Sequence, residues 1–375
     1  MNSVVLYTPG HNLITDSLIM HGIVRYLLWA DANMDSVKIR RLGDRFIIEV
    51  GDPDSIKKDK AEYVLRSIQY QANIGILSRV DYTYLTRFFE KIDVANLNRS
   101  VREFRKWVQQ FSQAITKFDF GSVRAYEDYN HTESENEGRV RAGYPTLYLP
   151  LGPMYGKYDQ SNYNMHATEY KVCYTCFLFA NLGLVYGTGI IRLEKSNRVK
   201  SIMFTLIPTN EAEILDVILA QRAFEFVHER FMGIDVPTIA VPLIALSIGE
   251  TLYAFSDVDV LVWVYEKEKS GTRNKYSFRI TQPLHVNVSR LLRTLSTIKY
   301  YVPEWPRVVY ECFLSNDDGP VILATLTEAI INDDVDAEIY RLARLIITFM
   351  NANNRCERFR ESIGKLIMGL SRSTQ

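Results

Sequence analysis

The stretch VCYTCFLFANLGLVYG at 172–187 decides how this chain is read. Two cysteines three residues apart, Cys173 and Cys176, lead into an apolar run dotted with the small residues Ala180 and Gly183. Two thiolates at this spacing can face one ion or form a redox pair, which makes them candidate ligands of a tetrahedral zinc site. Free cysteine is also among the most buried residue types, so the same pair fits the first turn of a core helix. A complete zinc site needs two more ligands. Cys312 and Cys356 qualify only by elimination, because they lie far along the chain without a second paired spacing. The run FLFANLGLVYG reads as core, and burial is the preferred role; Cys173 and Cys176 stay weak metal candidates.

Working outward, residues 120–170 are dominated by Gly, Asn, Tyr, Ser and Pro with no sustained period, the mark of a long loop. Upstream, residues 13–30 carry apolar side chains near helical spacing, with Thr15 or Asp16 available as a cap, and read as an amphipathic helix. Residues 37–50 alternate and pivot on Gly43-Asp44, the pattern of a hairpin. Helices follow, with breaks, over 55–118, including 82–92 and 98–117. Downstream, 190–206 resembles a second hairpin turning at 194–197, and 211–231 a helix. Residues 258–268 and 275–282 read as strands joined by a Lys-rich turn. Beyond Asn287 nearly everything is helical: 288–299, 305–314, 320–331, 337–350 and 356–370. The expected class is α+β, mainly helical, with two or more antiparallel hairpins and a helical C-terminal segment. The expected division is a body over 1–300, carrying the long loop, and a helical segment over 301–375.

With 375 residues and 47% hydrophobic content the chain can bury a large core, roughly two or three domain-sized units. Lys plus Arg and Asp plus Glu are both 44, so any nucleic-acid footprint must come from local clustering. Four cysteines are too few for a disulfide scaffold, and the start MNSVVLYTPG lacks the regions of a signal peptide. An intracellular, reducing, cytoplasmic location is expected. The longest apolar run, 236–249, is interrupted by Pro237 and Pro242 and is too short to span a bilayer, so it is expected in the core, with no membrane partner.

Familiar catalytic signatures are missing. The chain has no phosphate-binding Gly-x-x-x-x-Gly-Lys-Ser/Thr loop, no His-Glu-x-x-His and no Gly-x-Ser-x-Gly elbow. The sharpest enzymatic alternative is SDVDVLVWV at 256–264, where Asp257 and Asp259 project from one face of a strand. Two such carboxylates can hold divalent metal for phosphoryl transfer, as in a metal-dependent nucleotidyltransferase. That chemistry also needs an upstream Gly-Ser turn and a third carboxylate, and neither is evident. Basic residues do cluster. Lys38, Arg40, Arg41 and Arg45 sit on or beside the first hairpin, and Arg99, Arg102, Arg105 and Lys106 recur at spacings that share a helix face. Arg139 and Arg141 lie in the long loop among Tyr126, Tyr129, Tyr144, Tyr148, Tyr155, Tyr158 and Tyr163. Cations that pair with phosphates and aromatics that stack on bases are the ingredients of nucleic-acid binding. A further basic turn holds Lys267, Lys269, Arg273 and Lys275.

Cys173 and Cys176, followed by Phe177, Ala180, Gly183 and Leu184, resemble the central motif of the large subunit of archaeal type I-A CRISPR interference complexes, the Csa four family. The segment LITDSLIMHGIVRYLLWAD at 13–31 looks like the helix with which such subunits begin. The resemblance implies a non-enzymatic subunit of a Cascade-like antiviral assembly, with no cofactor. Its implied partners are guide RNA, target DNA, other Cascade subunits and a helicase-nuclease. It further implies probing of duplex DNA for the protospacer-adjacent motif, with Lys38, Arg40, Arg41, Arg45, Arg99, Arg102, Arg105, Lys106, Arg139 and Arg141 as the electrostatic candidates for contact.

Overall fold

The computed structural model describes residues 3–78, 101–119, 123–127, 145–147, 151, 171–196, 198–225, 227–248, 257–270, 275–332 and 334–373. The chain enters through a short strand, β1 (Val4–Tyr7), too brief to announce itself by period. Helix α1 (Leu13–Trp29) follows and is buried from Ile14 to Leu27, so it is enclosed on every side and not on one face as an amphipathic helix would be. Its cap is Asn12, whose side chain accepts from Thr15 N–H at 2.9 Å, rather than Thr15 or Asp16. Asp16 instead accepts from Gly10 N–H at 2.7 Å and Asn12 N–H at 3.1 Å, closing the turn before the helix. Burial pushes its carboxyl up to about 6 against these lowering hydrogen bonds.

Strands β2 (Val37–Leu42) and β3 (Arg45–Val50) form the expected hairpin, with Gly43 at φ 61 in the turn where a left-handed residue is needed. Next come α2 (Lys58–Ser78) and α3 (Val101–Lys117), tied by Gln69, whose amide donates to Ser112 O and Thr116 Oγ1, each at 3.0 Å. The helix expected over 82–92, and most of the 120–170 loop, lie outside the described residues. Helix α4 (Tyr174–Tyr186) is the apolar run behind the paired cysteines. Strands β4 (Thr188–Lys195) and β5 (Arg198–Pro208) make the second hairpin.

The helix expected over 211–231 is shorter. Glu211–Glu213 is a strand, β6; only Ile214–Glu225 is helical, as α5; His228–Met232 is a strand, β7. Glu-Ala-Glu favours helix in isolation, but here it completes the edge of β2, pairing Lys38 with Glu213 and Arg40 with Glu211. The first sheet is therefore ordered β1-β3-β2-β6, and the second β7-β4-β5-β8-β9, where β8 is Val258–Ser270 and β9 is Lys275–Asn287. The apolar run near 240 forms α6 (Val241–Ile248), fully buried from Val241 to Ser247. The C-terminal helices are α7 (Ser289–Tyr301), α8 (Trp305–Glu311), α9 (Asp318–Ile331), α10 (Val335–Ala352) and α11 (Arg360–Ser373). The architecture is α+β and mainly helical, with two antiparallel sheets and a helical C-terminal segment. No helix among the described residues is long and apolar enough to cross a membrane.

Two compact units divide the chain: Met1–Ile190 with Thr205–His228 and Phe278–Ile280, and Ile191–Phe204 with Glu229–Ser277 and Thr281–Gln375. The first is organised by α1 and α4, which run antiparallel at backbone contact. A Cβ on Gly183 would fall 1.8 Å from Leu18 O, and one on Gly22 would fall 2.2 Å from Phe179 O. The glycine of each helix thus seats on the other's backbone. Phe179 also meets the rings of Tyr26, Phe118 and Tyr126 at centroid distances of 6.1, 5.6 and 6.1 Å. His21, beside Gly22, places Nε2 at 2.9 Å from both Leu206 O and Thr205 Oγ1 of β5. Gln221 of α5 donates to His21 O at 2.8 Å and approaches Nδ1 at 3.4 Å. These partners place the ring proton on Nε2, and burial lowers the imidazole to about 4, so His21 is neutral.

In the second unit the Trp305 indole donates to Ser247 Oγ at 2.8 Å, fastening α8 to α6. Cys312 and Cys356 are joined by a disulfide. The expectation from cysteine sparsity does not extend to this bridge, and it removes both residues from the set of possible zinc ligands.

Gly183→Val will lower the unfolding free energy by about 3 kcal/mol or more, since any side chain there must displace the Leu18 backbone; chemical denaturation measures it, with Gly43→Ala as a turn control of about 1 kcal/mol. A second expectation concerns acid. The unfolded chain protonates His21 from its ordinary 6.5 downward while the folded chain resists to about 4, so this stabilisation is complete above pH 6.5 and declines as pH falls to 4. Asp16, raised to about 6, runs the opposite way, stabilising below its ordinary 3.8 and losing that contribution as pH rises to 6, so wild type shows a muted profile. The stability difference between wild type and His21→Gln should therefore shrink by about 3 kcal/mol from pH 7 to pH 4. A difference independent of pH would contradict the neutral, enclosed imidazole.

Candidate nucleic-acid interface

Strand β2 alternates as its sequence demands: Val37 and Ile39 are buried, while Lys38 and Arg40 are exposed. The exposed cations do not stand alone. Lys38 Nζ lies 3.8 Å from Glu211, and the Arg40 guanidinium is paired with Glu49 on β3. Arg41 donates from Nε to Gly43 O at 2.9 Å, and Arg45 lays its guanidinium over Gly10, where a Cβ would come within 2.2 Å of Nε. Exposed pairs of this kind contribute little to stability, but each carboxylate cancels the field a phosphate would feel. The hairpin is thus a mixed-charge face. The expected helix over 211–231 hides the pairing of Glu211 with Lys38, whereas Glu49 lies within the expected hairpin itself.

Helix α3 differs. Trp107, Val108, Phe111, Ala114 and Ile115 are buried, and the Trp107 indole donates to Asn181 Oδ1 of α4 at 3.1 Å. That anchorage fixes the opposite face toward solvent. Arg105 and Lys106 are exposed there and form no ion pair among the described residues. From Arg105 to Lys117 the sequence RKWVQQFSQAITK contains no carboxylate. Lys117 sits 4.1 Å over the ring of Tyr174, whose hydroxyl donates to Gln113 at 3.2 Å. Arg102 lies one turn before Arg105 on the same helix, with its side chain outside the described set. Arg99, Arg139 and Arg141 fall outside the described residues, as do Tyr129, Tyr144, Tyr148, Tyr155, Tyr158, Tyr163 and the side chains of the 267–275 turn. Tyr126 is fully buried, so it packs in the core instead of stacking on bases.

Asp259 lies on β8 and Asp257 immediately precedes it, both within reach of Asn287, but they are held by protein. Asn287 Nδ2 donates to Asp257 Oδ1 at 3.2 Å and to Asp259 Oδ1 at 3.0 Å, and His285 Nε2 lies 2.5 Å from Asp259 Oδ2. His285 and Asn287 alternate on the partner strand β9, a signal that could have been read from the spacing in HVN. Ser289 adds a hydroxyl 3.5 Å from Asp257 at the start of α7. No group of three or more His, Cys, Asp or Glu side chains able to hold a metal occurs among the described residues. The arrangement is a polar clasp that fixes the register of two strands and the entry to a helix. Cys173 and Cys176 likewise find protein partners at the start of α4, with Cys176 Sγ accepting from the Tyr126 hydroxyl at 3.2 Å.

A family model described as CRISPR-associated protein (Cas_Csa4) matches residues 4–359. A relative from Thermoproteus tenax, named CRISPR system associated protein Cas8, is 32% identical over 320 residues, spanning 81% of this chain and 83% of its own length.

Asp259→Ala will deprive His285 of this acceptor and leave Asn287 only Asp257 of the two carboxylates, and lower stability by about 1–3 kcal/mol. Millimolar Mg²⁺ or Mn²⁺ should leave the melting temperature of wild type unchanged; a metal-dependent rise abolished by the substitution would restore the metal reading.

Proposed function

This chain belongs to the CRISPR-associated Cas_Csa4 family, and from that premise we propose that it is the non-catalytic large subunit of an RNA-guided, Cascade-like antiviral complex. The family match over residues 4–359 is the observation that carries the reading. In such a complex, pairing with the guide RNA reads the target sequence, while protein reads a short motif in the duplex and the shape of the backbone. The large subunit helps recognise the protospacer-adjacent motif in target DNA and recruits the helicase-nuclease that degrades it. A neutral chain suits this role, because a subunit set among proteins needs only one cationic face.

Helix α3 supports that assignment better than the first hairpin. Its solvent side offers Arg105, Lys106 and Lys117 without an intervening carboxylate, while Lys38 and Arg40 are already paired with glutamates. Phosphate contacts by such cations release counterions, and the affinity then falls with salt in proportion to the number of contacts.

The test combines assembly and salt dependence. The chain should co-purify with guide-bound backbone subunits, and alone should bind duplex DNA weakly, with affinity declining as salt rises. The double substitution Arg105→Glu/Lys106→Glu should weaken DNA binding by about tenfold or more and reduce the slope of log K against log salt by roughly two. Arg40→Ala should change affinity by no more than about twofold, since it releases a glutamate as it removes a cation. Failure to assemble, together with no salt-sensitive binding, would falsify the reading; equal losses at both places would move the interface to the hairpin.

A further inference from the structure

The paired cysteines are not used by the function above, and their setting is unequal in a way that simple core packing does not require. Cys173 is the N-cap of α4: its Sγ accepts from Cys176 N–H at 3.3 Å, and its carbonyl from Phe177 N–H at 3.0 Å. A capping side chain folds back over the third residue of its helix, which here is the second cysteine. The two thiol groups hydrogen-bond one another. Cys173 is half-buried, while Cys176 is enclosed at 1% exposure. Burial, then the neighbouring Cys173, pushes the Cys176 thiol well above its ordinary range. One sulfur is reachable at a helix start, where the Cys176 N–H points at it; the other waits behind it, protonated.

The remaining cysteines sharpen this. Cys312 and Cys356 are bonded to each other, so of the four cysteines only Cys173 and Cys176 stand outside a disulfide. We propose that Cys173 and Cys176 are a redox-active dithiol that exchanges with small-molecule disulfides, Cys173 as the attacking sulfur and Cys176 as the resolving one. The Cys173 thiolate attacks one sulfur of the incoming disulfide and expels the other as a thiolate. Cys176 then loses its proton to that departing thiolate, attacks the Cys173 sulfur and releases the second small thiol. The protein gives up two thiol hydrogens and gains one S–S bond; the small disulfide is reduced to two thiols.

The experiment uses the full chain in glutathione buffers of rising oxidised-to-reduced ratio, quenched in acid, unfolded, labelled with N-ethylmaleimide and digested for mass spectrometry. The doubly labelled peptide carrying both cysteines should fall by about tenfold or more, replaced by an unlabelled form two hydrogens lighter. Cys176→Ser should stop the exchange at a glutathione adduct on Cys173, and Cys173→Ser should leave Cys176 unmodified. The proposal is overturned if the wild-type peptide stays doubly labelled at every ratio, if Cys176 takes the adduct in Cys173→Ser, or if bound zinc protects both sulfurs. Should either variant fail to fold, the wild-type titration decides alone.

Discussion

Two backbones touching is the constraint on which the first unit rests. Gly22 seats on Phe179 and Gly183 on Leu18, one helical turn apart on each partner, so α1 and α4 can neither separate nor rotate without opening a void. The neighbours of these glycines inherit their directions from the crossing. His21 is thrown toward β5 and α5, where Leu206, Thr205 and Gln221 meet it, and Phe179 is thrown into the rings of Tyr26, Phe118 and Tyr126. A turn of α1 about its axis would leave the imidazole unsatisfied inside the core, where a missing partner costs about 1–3 kcal/mol. Packing and polar satisfaction therefore enforce the same arrangement, and segments far apart in sequence are held by one close approach.

The electrostatics of the surface follow from smaller elements. The basic alternation of β2 was readable from VKIRRL, and so was the solvent face of α3 from RKWVQQFSQAITK, because both rest on local period. Of the acids that cancel the first, Glu49 lies within the same hairpin, but Glu211 was not readable, because β6 is three residues long and Glu-Ala-Glu becomes strand only when β2 offers it an edge. Tyr126 shows the same limit from the other side. Its neighbours in sequence are loop-like and polar, yet its ring lies wholly inside the core and its hydroxyl reaches Cys176.

Asp259 falls on a strand as expected and Asp257 just before it, but the register of β8 against β9, which brings Asn287 to both, is a property of two segments and not of either. The helices of the C-terminal half were legible through period and breaks, with ends displaced by a few residues where the chain tightens into 3₁₀ turns at Phe313–Ser315 and Asn354–Phe359. The partnership of Cys312 with Cys356 was not legible. It depends on α9 and α10 packing as an out-and-back pair that returns the chain to its starting point, a fact no spacing rule contains.

That return makes the stretch between Cys312 and Cys356 a covalent ring, the two cysteines lying 44 positions apart in the chain. A single protease cut anywhere inside it opens the backbone without releasing a fragment, so α11 stays tethered to the rest of its unit through sulfur when the peptide chain is broken. A nicked molecule keeps its full mass until it is reduced, and its C-terminal helix can find its seat again without a search through solution.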